Sequence, residues 1–287
     1  MVNGLENFGS FFNIFFFLLI LGLIIIPQVR YRWLTSARKN QMMKMGTERS
    51  SNIISIIHRQ ESIGLFGIPF YRFINMEDSE QVLRAIRMTP DEKPIDLIMH
   101  TPGGLVLAAS QIAQAMKDHP AKTTVIVPHY AMSGGTLIAL AADEIIMDHH
   151  AVLGPVDPQL MQYPAPSLLR AVDRKRAKDI DDQTLIMADV AEKAINQVRD
   201  FVHSLLKERL GDEKAKELST ILTEGRWTHD YPITSTMAKE LGLNVNNQVP
   251  EEVYTLMGYY PQPMFQRQVE FVPSPKRRRD ERQKILD

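Results

Sequence analysis

Residues 95–104 read IDLIMHTPGG, and residues 123–135 read TTVIVPHYAMSGG. Each stretch begins with a short apolar run that is typical of a buried strand, and each ends in a pair of glycines. An apolar segment long enough for a helix runs from about 105 to 117 after the first pair, and another runs from the second pair to 142. Two successive strand–turn–helix units of this kind predict an α/β fold with a mainly parallel sheet whose faces are covered.

The same alternation extends to both sides of these stretches. The sequence predicts further strands at 53–57 and 144–148, and a turn with an extended piece at 63–73. Asp78 or Ser79 can cap a helix that runs to about Arg87. These elements continue the alternation of strands and helices.

The C-terminal half is dominated by one long helix. Between about 181 and 210, apolar residues recur at a period of 3.6 residues, and Gly211 ends the pattern. The preceding segment, 157–176, is polar and irregular. From residue 261 the chain becomes rich in proline and charge, including the basic run at 276–279, so we expect a disordered tail at 261–287.

The N-terminus predicts a membrane anchor. Residues 8–26 contain no charged side chain over 19 positions, enough for one helical span of a bilayer. A cleaved signal peptide would have positive charge before this run and small residues after it, and neither is present. Basic residues follow the span, so the positive-inside rule places the rest of the protein on the cytoplasmic side of the cell membrane. We therefore divide the chain into an anchor (1–27), a juxtamembrane linker or helix (28–50), a folded domain (51–260) and the tail.

Composition excludes several classes of function. Lysine and arginine together number 33, against 34 aspartates and glutamates, so the net basic field of a nucleic-acid-binding protein is absent. The chain has no cysteine, which excludes disulfides, thiolate metal sites and a cysteine nucleophile. Covalent catalysis would have to use serine, threonine, lysine or a carboxylate.

The two glycine turns are the candidate chemical site. A turn that leaves a buried strand and enters a helix directs backbone N–H groups outward, an arrangement that stabilises a developing negative charge. In the second turn, Ser133 lies between the strand and the helix with small residues beside it. Ser133 could be a nucleophile there, or merely an N-cap of the helix.

Four runs stand in a recognisable order: HTPGG at 100–104, YAMSGGTLIALAADEIIMD at 130–148, GPVDPQ at 154–159 and EGRWTHDYPITSTMAKELGL at 224–243. Together they resemble the serine dehydrogenase proteinase family, in the signal peptide peptidase A-like branch of the Clp protease/crotonase superfamily. The resemblance covers about residues 50–245. It implies a spiral of ββα units, homo-oligomers, and peptide-bond hydrolysis without a metal or other cofactor.

The resemblance also implies roles for particular residues. Ser133 matches the nucleophile, and the N–H groups of Gly103 or Gly104 and of Gly134 match the oxyanion hole. The family's general base is a lysine that precedes a long helix, and Lys178 is in that position. A lysine must be neutral to accept a proton, which requires burial or a nearby cation. Lys175 and a histidine remain alternatives.

Several other polar residues lie near these motifs. His100, His129 and Tyr130 could line the pocket, and Asp157 could orient a base or close a turn. His229 and Asp230 are adjacent, but nothing in the sequence fixes their distance from Ser133, so we assign them no catalytic role.

The function that fits best is an ATP-independent, membrane-anchored serine endopeptidase that cleaves unfolded, hydrophobic or membrane-derived polypeptides through a Ser133–Lys178 dyad. Two alternatives remain. A crotonase-type acyl-CoA enzyme would share the glycine turns but would not need Ser133, and a non-catalytic membrane scaffold would keep the fold without the base. No GxGxxG turn or cofactor-lysine pattern supports a dehydrogenase.

Overall fold

The computed structural model describes Asn13 and residues 15–58, 62–63, 69–70 and 72–260. Residues 1–12 and 14 of the predicted anchor, part of the predicted extended piece at 63–73, and the predicted tail at 261–287 lie outside the described residues.

The described elements form a mixed α/β domain that begins after one long N-terminal helix. The helices are α1 (Ile26–Arg49), α2 (Met76–Arg87), α3 (Val106–Asp118), α4 (Gly134–Ala141), α5 (Ala165–Asp173), α6 (Asp182–Leu210), α7 (Asp212–Thr223), α8 (Ser235–Glu240) and α9 (Glu251–Gly258). The strands are β1 (Asn52–Ile57), β2 (Ser62–Ile63), β3 (Pro69–Phe70), β4 (Ile95–His100), β5 (Thr123–Val127), β6 (Tyr130–Ala131), β7 (Glu144–Met147), β8 (Val152–Leu153), β9 (Gln159–Leu160), β10 (Tyr163–Pro164), β11 (Ile233–Thr234) and β12 (Val245–Asn246).

The core is a five-stranded parallel sheet in the order β1-β4-β5-β7-β12. Every residue of β4 and β5 is buried, as expected for central strands covered on both faces. Helix α3 packs between α2 and α4. The predicted strands β1, β4, β5 and β7 and the predicted parallel sheet are confirmed. Because the strands are parallel, the turns that follow β4 and β5 leave the sheet at the same edge.

A smaller sheet extends this edge. Its order is β11-β8-β6, with β6 and β8 parallel and β11 antiparallel to β8. Strand β6 leads directly into Ser133, and β8 leads into the GPVDPQ run. The small sheet therefore brings residues 130–133, 152–159 and 233–234 together beyond the carboxyl ends of β5 and β7.

The apolar N-terminal segment is helical from Phe15, passes through a π-helical stretch at Leu21–Ile25 and continues as α1 to Arg49. It is long and apolar enough to cross a membrane, and none of its most apolar window is buried against the described part of the protein. The predicted juxtamembrane segment is thus one helix as far as Arg49. Its distal half packs on the domain: Met45 is 1% exposed, and the Arg38 Nε donates to the Tyr259 carbonyl at 3.0 Å.

The end of α1 is fixed to the amino end of β4. The Arg49 guanidinium donates to both oxygens of buried Asp96, at 2.6 and 3.2 Å, and the Ser51 hydroxyl donates to the same carboxylate at 2.5 Å. The hydrogen bond to Asp96 raises the pKa of Arg49. This end of the sheet therefore joins the apolar helix to the domain, while the opposite end carries the glycine turns.

Helix α2 begins earlier than the sequence predicted. Asn75, not Asp78 or Ser79, is its N-cap. The Asn75 side chain accepts from the Asp78 N–H, and the Asp78 carboxylate accepts from the Asn75 N–H, each at 3.0 Å. This reciprocal pair is a capping box, in which Asp78 is the third helical residue rather than the cap.

The long helix α6 is confirmed at 182–210, with an Asp181 cap and a Gly211 end. The preceding segment is more regular than predicted, because it contains the hairpin β9–β10 and helix α5. Helix α5 has only nine residues and a proline in its first turn, so its sequence resembles a turn. Helix α6 packs against α5 and α7.

Candidate active site

The two glycine turns lie side by side. The Thr101 N–H donates to the Tyr130 carbonyl at 3.1 Å, and the Met132 N–H donates to the Thr101 carbonyl at 3.0 Å. These bonds join the end of β4 to the segment before Ser133. The approach is so close that a Cβ on Gly103 would lie 2.8 Å from the Cβ of Ser133. Only glycine fits at position 103, which also has a φ of 103°.

Ser133 has a strained backbone. Its φ is 50° and its ψ is −113°, a combination that a non-glycine residue rarely adopts. It occupies the N-cap position of α4, yet its side chain makes no capping hydrogen bond. The interpretation of Ser133 as a simple N-cap therefore fails. A strained serine at a sharp strand-to-helix turn is the geometry that exposes a nucleophilic hydroxyl.

The backbone donors of the two turns differ in what they bind. The Gly103 N–H donates to the Thr101 hydroxyl at 3.2 Å. Within the described part of the chain, no hydrogen-bond acceptor takes the N–H of Gly104 or of Gly134. A Cβ placed on Gly134 would lie 3.4 Å from the Gly104 nitrogen, so the two groups are near each other. Gly104 and Gly134 are thus the two N–H groups available to an oxyanion.

A buried network supports the first turn from behind. The Thr101 hydroxyl lies 2.9 Å from Nδ1 of His58, and Nε2 of His58 lies 3.4 Å from an Asp78 carboxylate oxygen. Burial opposes the ionisation of Asp78, but the hydrogen bonds from His58 and from the Asn75 N–H outweigh it and hold the pKa of Asp78 below its usual value. This network fixes the hydroxyl that receives the Gly103 N–H.

Ser133 opens into a cavity of about 170 Å³. Gly104 and Gly134 also line it, and so do apolar side chains that include Val106, Leu137 and Val198. A small, largely apolar cavity that contains a hydroxyl and two free backbone donors suits a side chain or backbone segment of an extended substrate.

The same cavity contains a histidine–carboxylate pair that the sequence did not reveal. His229 lines it together with Asp157 and Gln159. Nδ1 of His229 lies 2.9 Å from Oδ1 of Asp157, and the Gln159 amide donates to Oδ2 of Asp157 at 2.8 Å. The Asp157 side chain is 1% exposed, whereas that of His229 is 31% exposed. Asp157 is therefore a buried carboxylate beneath an imidazole that reaches the cavity.

The lysines predicted as bases lie elsewhere. Lys178 is in a short 3₁₀ helix at Ala177–Asp179, and its side chain and that of Lys175 are exposed. Neither lines the Ser133 cavity. His100, His129 and Tyr130 form a ring cluster, with His100 and Tyr130 centroids 4.4 Å apart and His100 and His129 5.6 Å apart. These three also lie outside the cavity lining.

The described residues contain no group of three histidine, aspartate or glutamate side chains that could hold a metal ion. The chemistry that the arrangement offers is that of a serine nucleophile with backbone electrophilic assistance. In the sequence His229 is adjacent to Asp230, and no local pattern links His229 to Asp157, 72 positions earlier.

Known proteins resemble the chain over its whole length. A family model described as ClpP-like SDH-type serine proteinase matches residues 2–285. An uncharacterised protein of Methanocaldococcus jannaschii is 66% identical over 268 residues, which cover 93% of this chain and 94% of that relative.

More distant similarities reach named proteases. The probable protease SohB of Haemophilus influenzae is 25% identical over 174 residues, which cover 56% of this chain and 49% of SohB. The solved structure of a mutant of a membrane-bound stomatin-specific protease is 19% identical, with 72% of this chain and 82% of that chain covered and a TM-score of 0.45.

Proposed function

The chain belongs to the ClpP-like SDH-type serine proteinases, and from this premise we propose that it is a membrane-anchored serine endopeptidase with Ser133 as its nucleophile. The observation that carries the proposal is the strained Ser133 turn packed against Gly103, with the free N–H groups of Gly104 and Gly134 in the same cavity. This is the combination of nucleophile and oxyanion donors that acyl transfer requires.

The proposed reaction follows from these positions. The Ser133 hydroxyl attacks the carbonyl carbon of a peptide bond, and the negative charge that develops on the carbonyl oxygen is stabilised by the N–H groups of Gly104 and Gly134. The serine proton passes to a general base and from there to the departing amine as the C–N bond breaks, which leaves an acyl ester on Ser133. Water then attacks the ester, the acid is released, and a proton returns to the Ser133 oxygen. Backbone donors are fixed before the reaction, so they lower the barrier without having to reorganise.

The proposed substrate is an extended polypeptide. The apolar lining of the cavity favours a hydrophobic side chain next to the scissile bond, and the segments around the glycine turns can bond an extended main chain. Unfolded, hydrophobic or membrane-derived segments have both features. Hydrolysis at this site needs no nucleotide, so we propose ATP-independent cleavage.

Membrane anchoring is part of the proposal. The first part of the helix that begins at Phe15 is apolar and exposed, and Arg30, Arg32 and Arg38 follow this apolar part within the same helix. We propose that it crosses the cell membrane with the catalytic domain on the cytoplasmic side. We also propose that copies of the chain assemble as homo-oligomers, as the family resemblance implies.

The Ser133–Lys178 dyad, which the resemblance implies, stays a prediction. The Lys178 side chain is exposed, and no hydrogen bond joins it to Ser133 in the described part of the chain. For Lys178 to take the serine proton, the segment around the 3₁₀ helix would have to move to the cavity when substrate binds or when copies assemble.

The test is proteolysis by the full chain in detergent micelles. We expect the wild type to cleave a fluorescently labelled unfolded protein without added nucleotide. Ser133→Ala should lower kcat by about 10⁴- to 10⁶-fold, because the nucleophile is lost. Ser204→Ala is the matched control, since the Ser204 hydroxyl only donates to the Phe201 carbonyl within α6.

Three outcomes are informative. Loss of cleavage in Ser133→Ala alone supports the proposal. A wild type that cleaves no unfolded protein and does not react with a fluorophosphonate would favour the scaffold alternative. Hydrolysis or hydration of an acyl-CoA that survives in Ser133→Ala would favour the crotonase-type alternative.

A further inference from the structure

We propose that the free edge of strand β1 is a docking site for residues 265–272 of the same chain, which pair with it as an additional strand of the main sheet. The structural basis is a groove along β1, between two helices, with backbone groups that lack partners at its floor. None of the residues that line this groove lines the Ser133 cavity, so the inference does not depend on the proposed function.

Strand β1 is the first strand of the sheet, and its neighbour among the described strands is β4. The N–H groups of Asn52 and His58 donate to carbonyls at the two ends of the β4 segment, at 2.7 and 2.8 Å. Because backbone groups of successive residues point to opposite edges of a strand, those of Ile53, Ser55 and Ile57 point away from β4. Within the described ranges, no backbone or side-chain group bonds these outward groups. An unpaired edge of this kind is a template for another strand.

The free edge of β1 is the floor of a groove made of two adjoining cavities. The first has a volume of about 770 Å³ and is lined by residues 52–54 of β1, by α1 and by Ala85 of α2. The second has a volume of about 580 Å³ and is lined by residues 55–58, by the start of α2 and by Tyr260. The groove therefore follows the whole strand, and a six-residue strand is about 20 Å long.

The two walls of the groove admit one extended segment. Helix α1 packs beside β1 on one side, and α2 packs beside it on the other. A second copy of this chain that offered its own β1 would bring its own α1 and α2, and those helices would collide with the walls. A segment without covering helices can enter and bond the outward backbone groups.

The C-terminal segment of the chain starts at this groove. Tyr260 lines it, and the Tyr260 hydroxyl lies 2.9 Å from the hydroxyl of Ser55, in the middle of β1. The Arg38 guanidinium lies 4.3 Å from the centre of the Tyr260 ring, which holds this ring beside α1. The chain from Tyr260 to residue 265 can span about 17 Å, and the middle of β1 is about 10 Å from either end. The tether therefore reaches both ends of the groove.

The sequence of this segment fits a strand. Residues 265–272 read FQRQVEFV, in which Phe, Arg, Val and Phe at alternate positions are separated by Gln, Gln and Glu. Pro263 and Pro273 bound the run, and proline ends a strand because it has no N–H to donate. The composition of 261–287 predicts disorder because the tail has no core of its own. For residues 265–272, the groove supplies apolar walls and hydrogen-bond partners.

The experiment is a disulfide scan of the full chain in detergent micelles. The chain has no cysteine, so two introduced cysteines report only on each other. Ser55→Cys is combined with a single cysteine at each position from 265 to 272. Because side chains of paired strands share a face only at every second residue, we expect cross-linking within one chain to be about tenfold stronger at alternate positions than at those between them. Thr220→Cys, on α7 and outside the groove lining, is the matched control and should give background cross-linking at every position.

A second measurement keeps Ser55 and follows amide hydrogen exchange at Ile53, Ser55 and Ile57. Proline removes one N–H, and the N–H groups of neighbouring residues point to opposite edges, so Val269→Pro and Glu270→Pro together test both edges of the docked segment. In at least one of the two variants, we expect exchange at these amides to be about 10- to 100-fold faster than in the wild type. Gln283→Pro lies outside the run and should leave their exchange unchanged.

Three results would overturn the proposal. One is cross-linking that is equal at every position or no stronger than with Thr220→Cys. Another is wild-type exchange at the β1 amides in both proline variants. The third is an alternating pattern found only in disulfide-linked dimers, because the groove would then hold the tail of a second copy.

Discussion

Two histidine–carboxylate pairs lie near the Ser133 turn, and they differ in which member of the pair is buried. Behind the Gly103 turn, the His58 side chain is 9% exposed and its partner Asp78 is 30% exposed. At the cavity, His229 is 31% exposed and its partner Asp157 is 1% exposed. In one pair the imidazole is buried, and in the other the carboxylate is.

The two histidines differ in what their ring nitrogens contact. Both nitrogens of His58 are occupied, one by Thr101 and one by Asp78, so His58 has no lone pair for a substrate. It fixes the hydroxyl that holds the Gly103 N–H. In the other pair, Nδ1 of His229 contacts Asp157 at 2.9 Å and the Gln159 amide at 3.1 Å, and the His229 side chain lines the cavity. His58 is therefore buried with both nitrogens bound and supports the Gly103 turn, whereas His229 is partly exposed at the cavity.

Among substitutions at the Gly103 turn and the His58 network behind it, Gly103→Ala is expected to have the largest effect. The new Cβ would meet Ser133 at 2.8 Å and the φ of 103° would be strained, so the two turns must separate. We expect kcat to fall by about 10²- to 10³-fold as the alignment of the oxyanion donors is lost. The free energy of unfolding should fall by about 1–3 kcal/mol.

Gly211→Ala is the control for backbone strain alone. Gly211 has a φ of 82°, but a Cβ there meets nothing within 4 Å. Its unfolding midpoint should drop while kcat is retained. Equal kcat in both alanine variants would contradict the close packing of the two turns.

His58→Gln tests directly whether the hydrogen bonds of His58 support the Gly103 turn. Glutamine cannot bond Thr101 and Asp78 together, so a buried hydroxyl or carboxylate loses its partner. We expect the free energy of unfolding to fall by about 1–3 kcal/mol, measured by chemical denaturation, with kcat lowered by about tenfold at most. If His58→Gln abolished catalysis without a loss of stability, this supporting role of His58 would be contradicted.

Asp78 gives the smallest effect, and it depends on pH. Its pKa is held below the usual 3.8, so the stability it contributes is present above that value and is lost as pH falls through the lowered pKa. We expect the unfolding midpoint of the wild type to fall more steeply below about pH 4 than that of Asp78→Asn. Parallel pH curves for the two proteins would contradict this contribution.

The sequence predicted the sheet and its two glycine turns better than the residues that line the Ser133 cavity. Strands β4 and β5 are predictable because burial on both faces requires continuous apolar runs. The glycine pairs after them are predictable because a close approach of two backbones requires glycine. The backbone strain at Ser133 is not predictable in this way, since a serine before a helix is usually a cap.

The pairing of His229 with Asp157 could not be predicted because it depends on tertiary packing. The small sheet β11-β8-β6 brings together segments that are 72 residues apart in the chain, and the GPVDPQ run resembles an ordinary turn. The resemblance points to Lys178, which lies before α6 in a charged run whose described side chains are exposed. The distance between Lys178 and Ser133 depends on tertiary packing, so the local sequence does not predict it.

We propose that Ser133, Gly104 and Gly134 form one reacting centre. The direct measurement is an experimental structure of the full chain after reaction with a fluorophosphonate. We expect phosphorus on the Ser133 oxygen and the phosphonyl oxygen about 2.7–3.1 Å from the Gly104 and Gly134 nitrogens. An adduct on another residue, or a phosphonyl oxygen directed away from both nitrogens, would contradict the account.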